Sequence, residues 1–232
     1  MLNKVLVTDF QKIDLNNFIN TYCPTMVTTN LGKQGNIIHN KLVKRVELDL
    51  PAFNYNFKKK FQHLLKKNNF PSYNIVLYAT LQHLGSATHS VHTDSDAGLR
   101  NQGSVICRFL IPLTKASPTC YFDKLMPDDR FYRRKTKYEF EVEGTDAFPT
   151  IIIKNFTSLK NKITKPINDK LPAYDRLSHI NPEALYGLEV DTLGEWEIGA
   201  IHLFPCSLLH ASTDFDWYDS KYMINGVIYT PK

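Results

Sequence analysis

YNIVLYATLQHLGSATHSVHTD, residues 73–94, reads as two strands joined by a turn and ending in a pair of metal-binding side chains. Tyr73 to Leu84 is dense in β-branched and aromatic residues and stops at Gly85-Ser86, which marks a strand and then a turn. Thr88 to Asp94 follows as a second, shorter strand. Side chains alternate between the faces of a strand, so His92 and Asp94 project from one face and Thr93 from the other. An imidazole and a carboxylate two positions apart on a strand can reach one metal ion. His-x-Asp alone is a common tripeptide; the strand that carries it gives the reading its weight.

Working outward, Gly103 to Thr114 (GSVICRFLIPLT) is a strongly apolar strand and Pro118 to Asp123 (PTCYFD) a shorter one. Far downstream, Trp196 to Ser212 (WEIGAIHLFPCSLLHAS) gives a turn glycine, a buried strand, a Phe-Pro corner and then His210. Lys221 to Thr230 (KYMINGVIYT) is a closing strand. Two imidazoles and one carboxylate occupy one face of an octahedron and leave the other open, the arrangement that suits non-haem Fe(II). Lys221, eleven residues after His210, is a cation suited to an acidic co-substrate that chelates the same metal. The remaining histidines read differently. His89 faces away from His92 on a strand, and His202 inside the apolar strand reads as a hydrogen-bonded core or face residue. His39, His63, His83 and His179 have no metal-ligand spacing and read as solvated or structural.

In the order strand, Gly, His-x-Asp, apolar strand, then Gly-apolar strand-Phe-Pro…His, Lys and a last strand, the chain resembles the Fe(II)- and 2-oxoglutarate-dependent dioxygenases. Their fold is the double-stranded β-helix (jelly roll), and the resemblance is nearest the prolyl-hydroxylase-like group. It covers about residues 73–123 and 190–230. It implies a mainly β protein with flanking helices around a jelly-roll core. It also implies Fe(II) held by His92, Asp94 and His210, with Lys221 pairing with the far carboxylate of 2-oxoglutarate. The activity implied is hydroxylation with O2 as co-substrate. One departure stands out: relatives with Arg at the last position often carry Ser two residues on, and here that residue is Met223. A hydroxyl partner for the carboxylate then has to come from elsewhere, and Tyr78 and Thr80 are the candidates. Lys is a compact point charge and lacks the planar fork of Arg.

A length of 232 residues suits one domain with a well-buried core, and the 43% hydrophobic and 22% charged content is ordinary for a globular protein. No stretch approaches the roughly 20 apolar residues of a membrane span, and MLNKVLVTDF lacks the features of a signal peptide. Cys23, Cys107, Cys120 and Cys206 are scattered without C-x-x-C spacing, and Cys107 and Cys206 fall in apolar strands. A reducing, intracellular (cytoplasmic) setting is expected.

Residues 1–72 are expected to add helical and strand elements to the core. Asp14 to Tyr22 places Leu15, Phe18, Ile19 and Tyr22 on one helical face. From about Pro51 to Lys67, Phe53, Phe57, Phe61, Leu64 and Leu65 form a second stripe, which packs on the outside of a sheet. Lys41 to Leu50 alternates as an added edge strand. The +5 charge is clustered, with Lys58, Lys59, Lys60, Lys66 and Lys67 on a solvated helix face.

Residues 124–190 read as a lid-like insertion between the halves of the core. Lys137 to Val142 and Pro149 to Lys154 are strand-like, Asn161 to Lys170 is a loop, and Asn181-Pro182-Glu183 opens a short helix. Its segment DRFYRRKTKYEF interleaves Phe131, Tyr132 and Tyr138 with Arg130, Arg133, Arg134, Lys135 and Lys137. That mixture reads first as an exposed hairpin with alternating faces. Phe131, Tyr132, Arg133, Arg134 and Tyr138 are also the candidate substrate contacts, because by resemblance this segment determines substrate choice. The substrate expected is a small molecule or a protein side chain. Nucleic acid comes second, because a charge of +5 is modest for duplex binding. A cupin-like metal-binding module without oxidation is the non-catalytic alternative, against which the cation at Lys221 speaks.

Overall fold

The computed structural model describes residues 3–6, 27–30, 42–47, 59, 61–63, 65–67, 72, 74–84, 90–94, 102–128, 130–142, 150–153, 157–158, 165–166, 176–198, 200–213 and 221–232. The expected helix at 14–22 and His89 lie outside them.

Most of the described chain is strand, in two antiparallel sheets. The first is a seven-stranded sheet in the order β1 (Asn3–Leu6), β13 (Ala200–Phe204), β5 (Gly103–Pro112), β15 (Lys221–Pro231), β4 (Val76–Leu84), β3 (Leu42–Glu47) and β2 (Val27–Asn30). Apolar β-branched runs at β5 and β15 explain its centre, since a strand paired on both sides and covered on both faces needs no polar alternation. The closing strand β15 runs between β4 and β5, with Asn225 opposite Thr80 on one side and Leu110 on the other. Gly226 sits in the middle of this strand because a Cβ there would come 2.5 Å from the Tyr78 carbonyl and collide with the Phe109 ring.

The second sheet joins β12 (Glu189–Gly194) to β6 (Thr119–Leu125), and β6 to β14 (Leu208–Ser212). From β14 the pairing continues through His92 to β7 (Tyr132–Arg134), then β8 (Glu139–Val142) and β9 (Thr150–Ile152). The short β10 (Thr157–Ser158) pairs with β6, and β11 (Lys165–Pro166) with β12. The 161–170 stretch expected as loop therefore contributes two residues to a sheet edge. In chain order the core strands largely alternate between sheets: β4 in the first, residues 91–93 in the second, β5 in the first, β6 and β12 in the second. Then come β13 in the first, β14 in the second and β15 in the first.

The two sheets close on one another through Leu110, Phe204 and Met223 of the first and Tyr121 and Leu208 of the second, capped by Trp196. The outer face of the first sheet carries Phe109, which meets Phe61, in the helical residues 61–63, at 4.7 Å between ring centroids. Phe61 and Leu65 are fully buried, as the aromatic stripe requires. The outer face of the second sheet (Val91, Cys120, Phe122, Tyr132, Phe140, Leu209) is covered by Leu177, Ile180, Ala184, Leu185 and Leu188. That cover includes α1 (Pro182–Leu185), whose N-terminus is capped by Asn181: its side chain accepts from the Glu183 amide at 3.1 Å. Cys107, Cys120 and Cys206 are free and buried. Among the described residues, no helix is long and apolar enough to cross a membrane.

Candidate metal centre

The site begins with a cross-strand row. Residues directly opposite in an antiparallel pair share a face. Tyr121 lies opposite His210, His210 opposite His92, His92 opposite Arg133, and Arg133 opposite Glu141. His92 and His210 are held in register by reciprocal backbone bonds, His92 N–H to His210 O at 3.0 Å and His210 N–H to His92 O at 2.9 Å. All of these side chains face the inside of the two-sheet core, where Tyr121 packs against Phe204 at 5.1 Å between centroids.

His92, Asp94 and His210 converge, with ligand atoms within 4.8 Å of one another. The two imidazole centroids are 4.5 Å apart. Each ring is oriented by its own strand: His92 Nδ1 lies 2.8 Å from the Ser90 carbonyl and His210 Nδ1 2.9 Å from the Leu208 carbonyl. A carbonyl only accepts, so in each neutral ring Nδ1 carries the hydrogen and Nε2 presents a lone pair. His210 Nε2 then faces the Asp94 Oδ2 at 3.7 Å, acceptor toward acceptor. A divalent cation between them turns that repulsion into coordination, and donors bound at about 2.1 Å sit about 3 Å apart. The donor set therefore fits a divalent metal.

The surroundings are partly polar. Arg108 on β5 places Nε 3.3 Å from Asp94 Oδ2 and donates from NH1 to Asn225 Oδ1 at 3.1 Å. Burial, followed by the Asp94 charge, pushes the Tyr121 phenol well above its ordinary range, so it stays protonated beside the site. The Tyr121 ring is 5.9 Å and Phe204 5.3 Å from His210. His202 is fully buried, with Nε2 3.1 Å from the Glu195 carbonyl and Nδ1 3.3 Å from the Tyr121 hydroxyl. It is a core residue of β13 that braces Tyr121.

Lys221 opens β15, buried, donating to the Ser117 carbonyl at 3.2 Å with its ammonium 3.5 Å above the Trp196 ring. Two positions on, Met223 packs with Tyr121 and Phe204, the rings that flank His210. Tyr78 pairs with Val227 and Thr80 with Asn225, six and four residues along β15 from Lys221, which itself lies opposite Leu84. Arg108 pairs with the same Val227, which puts Tyr78 and Arg108 in one row. Sequence reasoning had no signal for Arg108 as a neighbour of Asp94, because the contact depends on how the sheets face.

The basic-aromatic segment is a hairpin, but it is not exposed: Tyr132, Arg133 and Arg134 are all buried. The reason is pairing, since β7 docks beside the His-x-Asp segment. The Thr93 amide donates to Tyr132 O at 2.9 Å, and the Arg134 amide to Val91 O at 2.8 Å. The Thr93 hydroxyl donates to Arg130 O and accepts from the Tyr132 amide, each at 2.9 Å. Alternation then separates the segment's residues. Tyr132 joins the outer core, with its ring edge-on to Phe140 at 6.2 Å. Arg134 donates to the carbonyls of Ala184, Lys137 and Tyr186 at 3.1, 2.8 and 3.0 Å and so ties α1 to the sheet. Tyr138 is exposed with Lys137 over its ring. Arg133 faces the interior, 3.2 Å from Glu141, and Phe131 lies 5.8 Å from His92.

No protein-family model and no curated protein matches the chain. Among solved structures it is similar to a Pseudomonas putida prolyl-4-hydroxylase at 6% identity and TM-score 0.49, covering 100% of this chain and 93% of that one. It is also similar to HygX from Streptomyces hygroscopicus, solved with nickel, 2-oxoglutarate and hygromycin B, at 11% identity and TM-score 0.47 over 99% and 82% of the two chains. A third is the non-heme alpha ketoglutarate dependent epimerase SnoN from nogalamycin biosynthesis, at 10% identity and TM-score 0.46 over 99% and 78%.

Proposed function

We propose that this chain is an Fe(II)- and 2-oxoglutarate-dependent oxygenase with a double-stranded β-helix core, hydroxylating a small molecule or a protein side chain. The observation that carries the reading is the triad: two imidazoles with Nδ1 held by backbone carbonyls and one carboxylate, converging inside two antiparallel sheets. The alternation of strands between the sheets supports the fold assignment. When bound, iron and 2-oxoglutarate supply oxidative decarboxylation of the co-substrate to succinate and CO2, coupled to substrate hydroxylation with O2. The chain's own residues do the rest. His92, Asp94 and His210 hold the metal, and the Ser90 and Leu208 carbonyls fix the imidazoles. Tyr121, Phe204, Met223 and Trp196 keep the interior apolar.

Lys221 is the proposed anchor for the far carboxylate of 2-oxoglutarate; it lies opposite Leu84, and Thr80 and Tyr78 stand four and six residues further along the sheet, roughly 14 and 20 Å away, so the register does not favour either as its hydroxyl partner. Lys221 is buried with its ammonium over the Trp196 ring, a position where a charge-assisted bond to a carboxylate would be strong, and this favours a co-substrate site over a cupin-like module that only binds metal. Within the 124–190 insertion, Phe131 and Arg133 are the proposed substrate contacts, since they lie on the His92 side; Tyr132 and Arg134 face the outer core and Tyr138 is exposed, so these three expected contacts are withdrawn. Measuring succinate formed from 2-oxoglutarate with no added substrate tests the reading. Turnover that requires Fe(II) and disappears in His210→Ala is the expected result. Stoichiometric metal binding with no turnover at any Fe(II) concentration would favour the metal-binding module instead.

A further inference from the structure

Arg133 is a buried guanidinium on the same cross-strand row as the two histidines of the metal triad. It lies directly opposite His92, on the side away from His210, and its side chain is only 7% exposed. Taking a guanidinium out of water is expensive unless its charge is balanced. Glu141, opposite Arg133 on β8, provides one carboxylate at 3.2 Å, but Lys135 shares that carboxylate at 2.6 Å on its other oxygen. Among the described residues, two cations, Arg133 inside and Lys135 at the exposed rim, share the single carboxylate of Glu141, which leaves this corner positive. Arg134, the next residue, differs: it points to the other face, where three carbonyls take its donors. Beside Arg133 lies an aromatic plane, Phe131, with the guanidinium carbon 5.8 Å and the His92 ring 5.8 Å from its centroid. A positive, partly dry corner with a ring next to a metal triad has the composition of a subsite for an oxyanion on an unsaturated or aliphatic carbon frame. Its position inside the sheets fits a small molecule and does not fit the phosphate backbone of a duplex.

We infer that Arg133, flanked by Phe131 and balanced by Glu141, binds a carboxylate or phosphate of the primary substrate, which is therefore a small acidic molecule. This rests on the oxygenase reading above for its meaning as a substrate subsite. Arg133 is the specificity-determining residue, Lys135 adds charge from the rim, and Glu141 sets the affinity by competing for the guanidinium. An anion entering the corner displaces part of the Arg133–Glu141 contact and leaves Glu141 to Lys135.

The test uses benzoate, phenyl phosphate and neutral benzamide as probes on the full chain, saturated with 2-oxoglutarate under argon so that the co-substrate position is filled. Calorimetry reads affinity, and Mn(II) loading adds paramagnetic broadening of the probe protons, expected for a site between one and two strand spacings, or about 5–10 Å, from the metal. Expected are binding of one or both anions at least tenfold tighter than benzamide, a further loss of at least tenfold in Arg133→Gln, and partial recovery in Arg133→Lys. Glu141→Gln should tighten the anion at least threefold, a gain that mere loss of a structural contact would not give. Whichever of benzoate and phenyl phosphate binds tighter names the oxyanion. Equal binding of benzamide and both anions, anion affinity unchanged in Arg133→Gln, or weaker binding in Glu141→Gln overturns the inference. Should Mn(II) fail to bind while the Arg133-dependent anion affinity remains, the oxygenase reading falls and the oxyanion site stands.

Discussion

At the scale of single residues, the chemistry depends on which nitrogen of each imidazole is free. The Ser90 and Leu208 carbonyls, each two residues before its histidine, decide this for His92 and His210. The strand itself therefore supplies the outer partner of the ligand it carries. Outer partners are worth about 10–100-fold in metal affinity, so losing a ligand costs more. His92→Ala, Asp94→Ala and His210→Ala should each weaken Mn(II) binding by more than about a hundredfold in an anaerobic titration. His202→Ala should leave it intact, since that ring is bonded to Glu195 and Tyr121 in the core. The reverse pattern would reassign the ligand to His202.

Two cations, the buried Lys221 and the half-buried Arg108, also compete for the co-substrate role. Lys221 and Arg108 both reach the interior, one beside Trp196 and the other beside Asp94. A charge-assisted bond in such a site is worth about 1.5–3 kcal/mol, so Lys221→Met should weaken 2-oxoglutarate roughly ten- to a hundredfold. Metal affinity should hold. If Arg108→Met gives that loss and Lys221→Met does not, the anchor is Arg108.

At the scale of elements, the His-x-Asp segment and β7 hold each other in place, and Thr93 is the joint. Fully buried, its hydroxyl donates to Arg130 O and accepts from the Tyr132 amide. Thr93→Val keeps the shape and strands a buried amide and carbonyl, each costing about 1–3 kcal/mol. A loss of about 2–4 kcal/mol in urea unfolding, with unchanged dependence on denaturant, is expected. Thr93→Ser should recover most of it. A neutral Thr93→Val would mean that backbone pairing alone docks β7. The middle residue of the tripeptide thus fixes the strand that carries Arg133, opposite His92.

At the scale of the whole molecule, β15 is the strand that everything in the first sheet leans on, paired to β4 and β5 over its length. Gly226 at its centre leaves room for the Phe109 ring, which in turn meets Phe61 from the covering helix. Gly226→Ala should cost about 3 kcal/mol or more, because the atoms it meets include the backbone of the neighbouring strand and overpacking is relieved only by moving the sheet. Soluble yield and the urea midpoint read this, and a variant as stable as the parent would show that the two strands separate easily.

What the sequence determined by itself is local. Period-two alternation put His92 and Asp94 on one face, apolar β-branched runs announced β5 and β15, and the Asn181-Pro182 pair announced the start of α1. These follow from backbone geometry and capping, which act over a few residues. Tertiary structure alone decided the row Tyr121–His210–His92–Arg133–Glu141, the approach of Arg108 to Asp94, and the burial of Arg133 and Arg134. Alternation says which residues share a face of one strand, but the neighbours on that face are set by strand order and register. Those are fixed by how two sheets bury their apolar faces together, a sum over the whole chain. A run of arginines among aromatics looks like a solvated hairpin until the sheet beside it supplies the carbonyls and the carboxylate that make burying them tolerable.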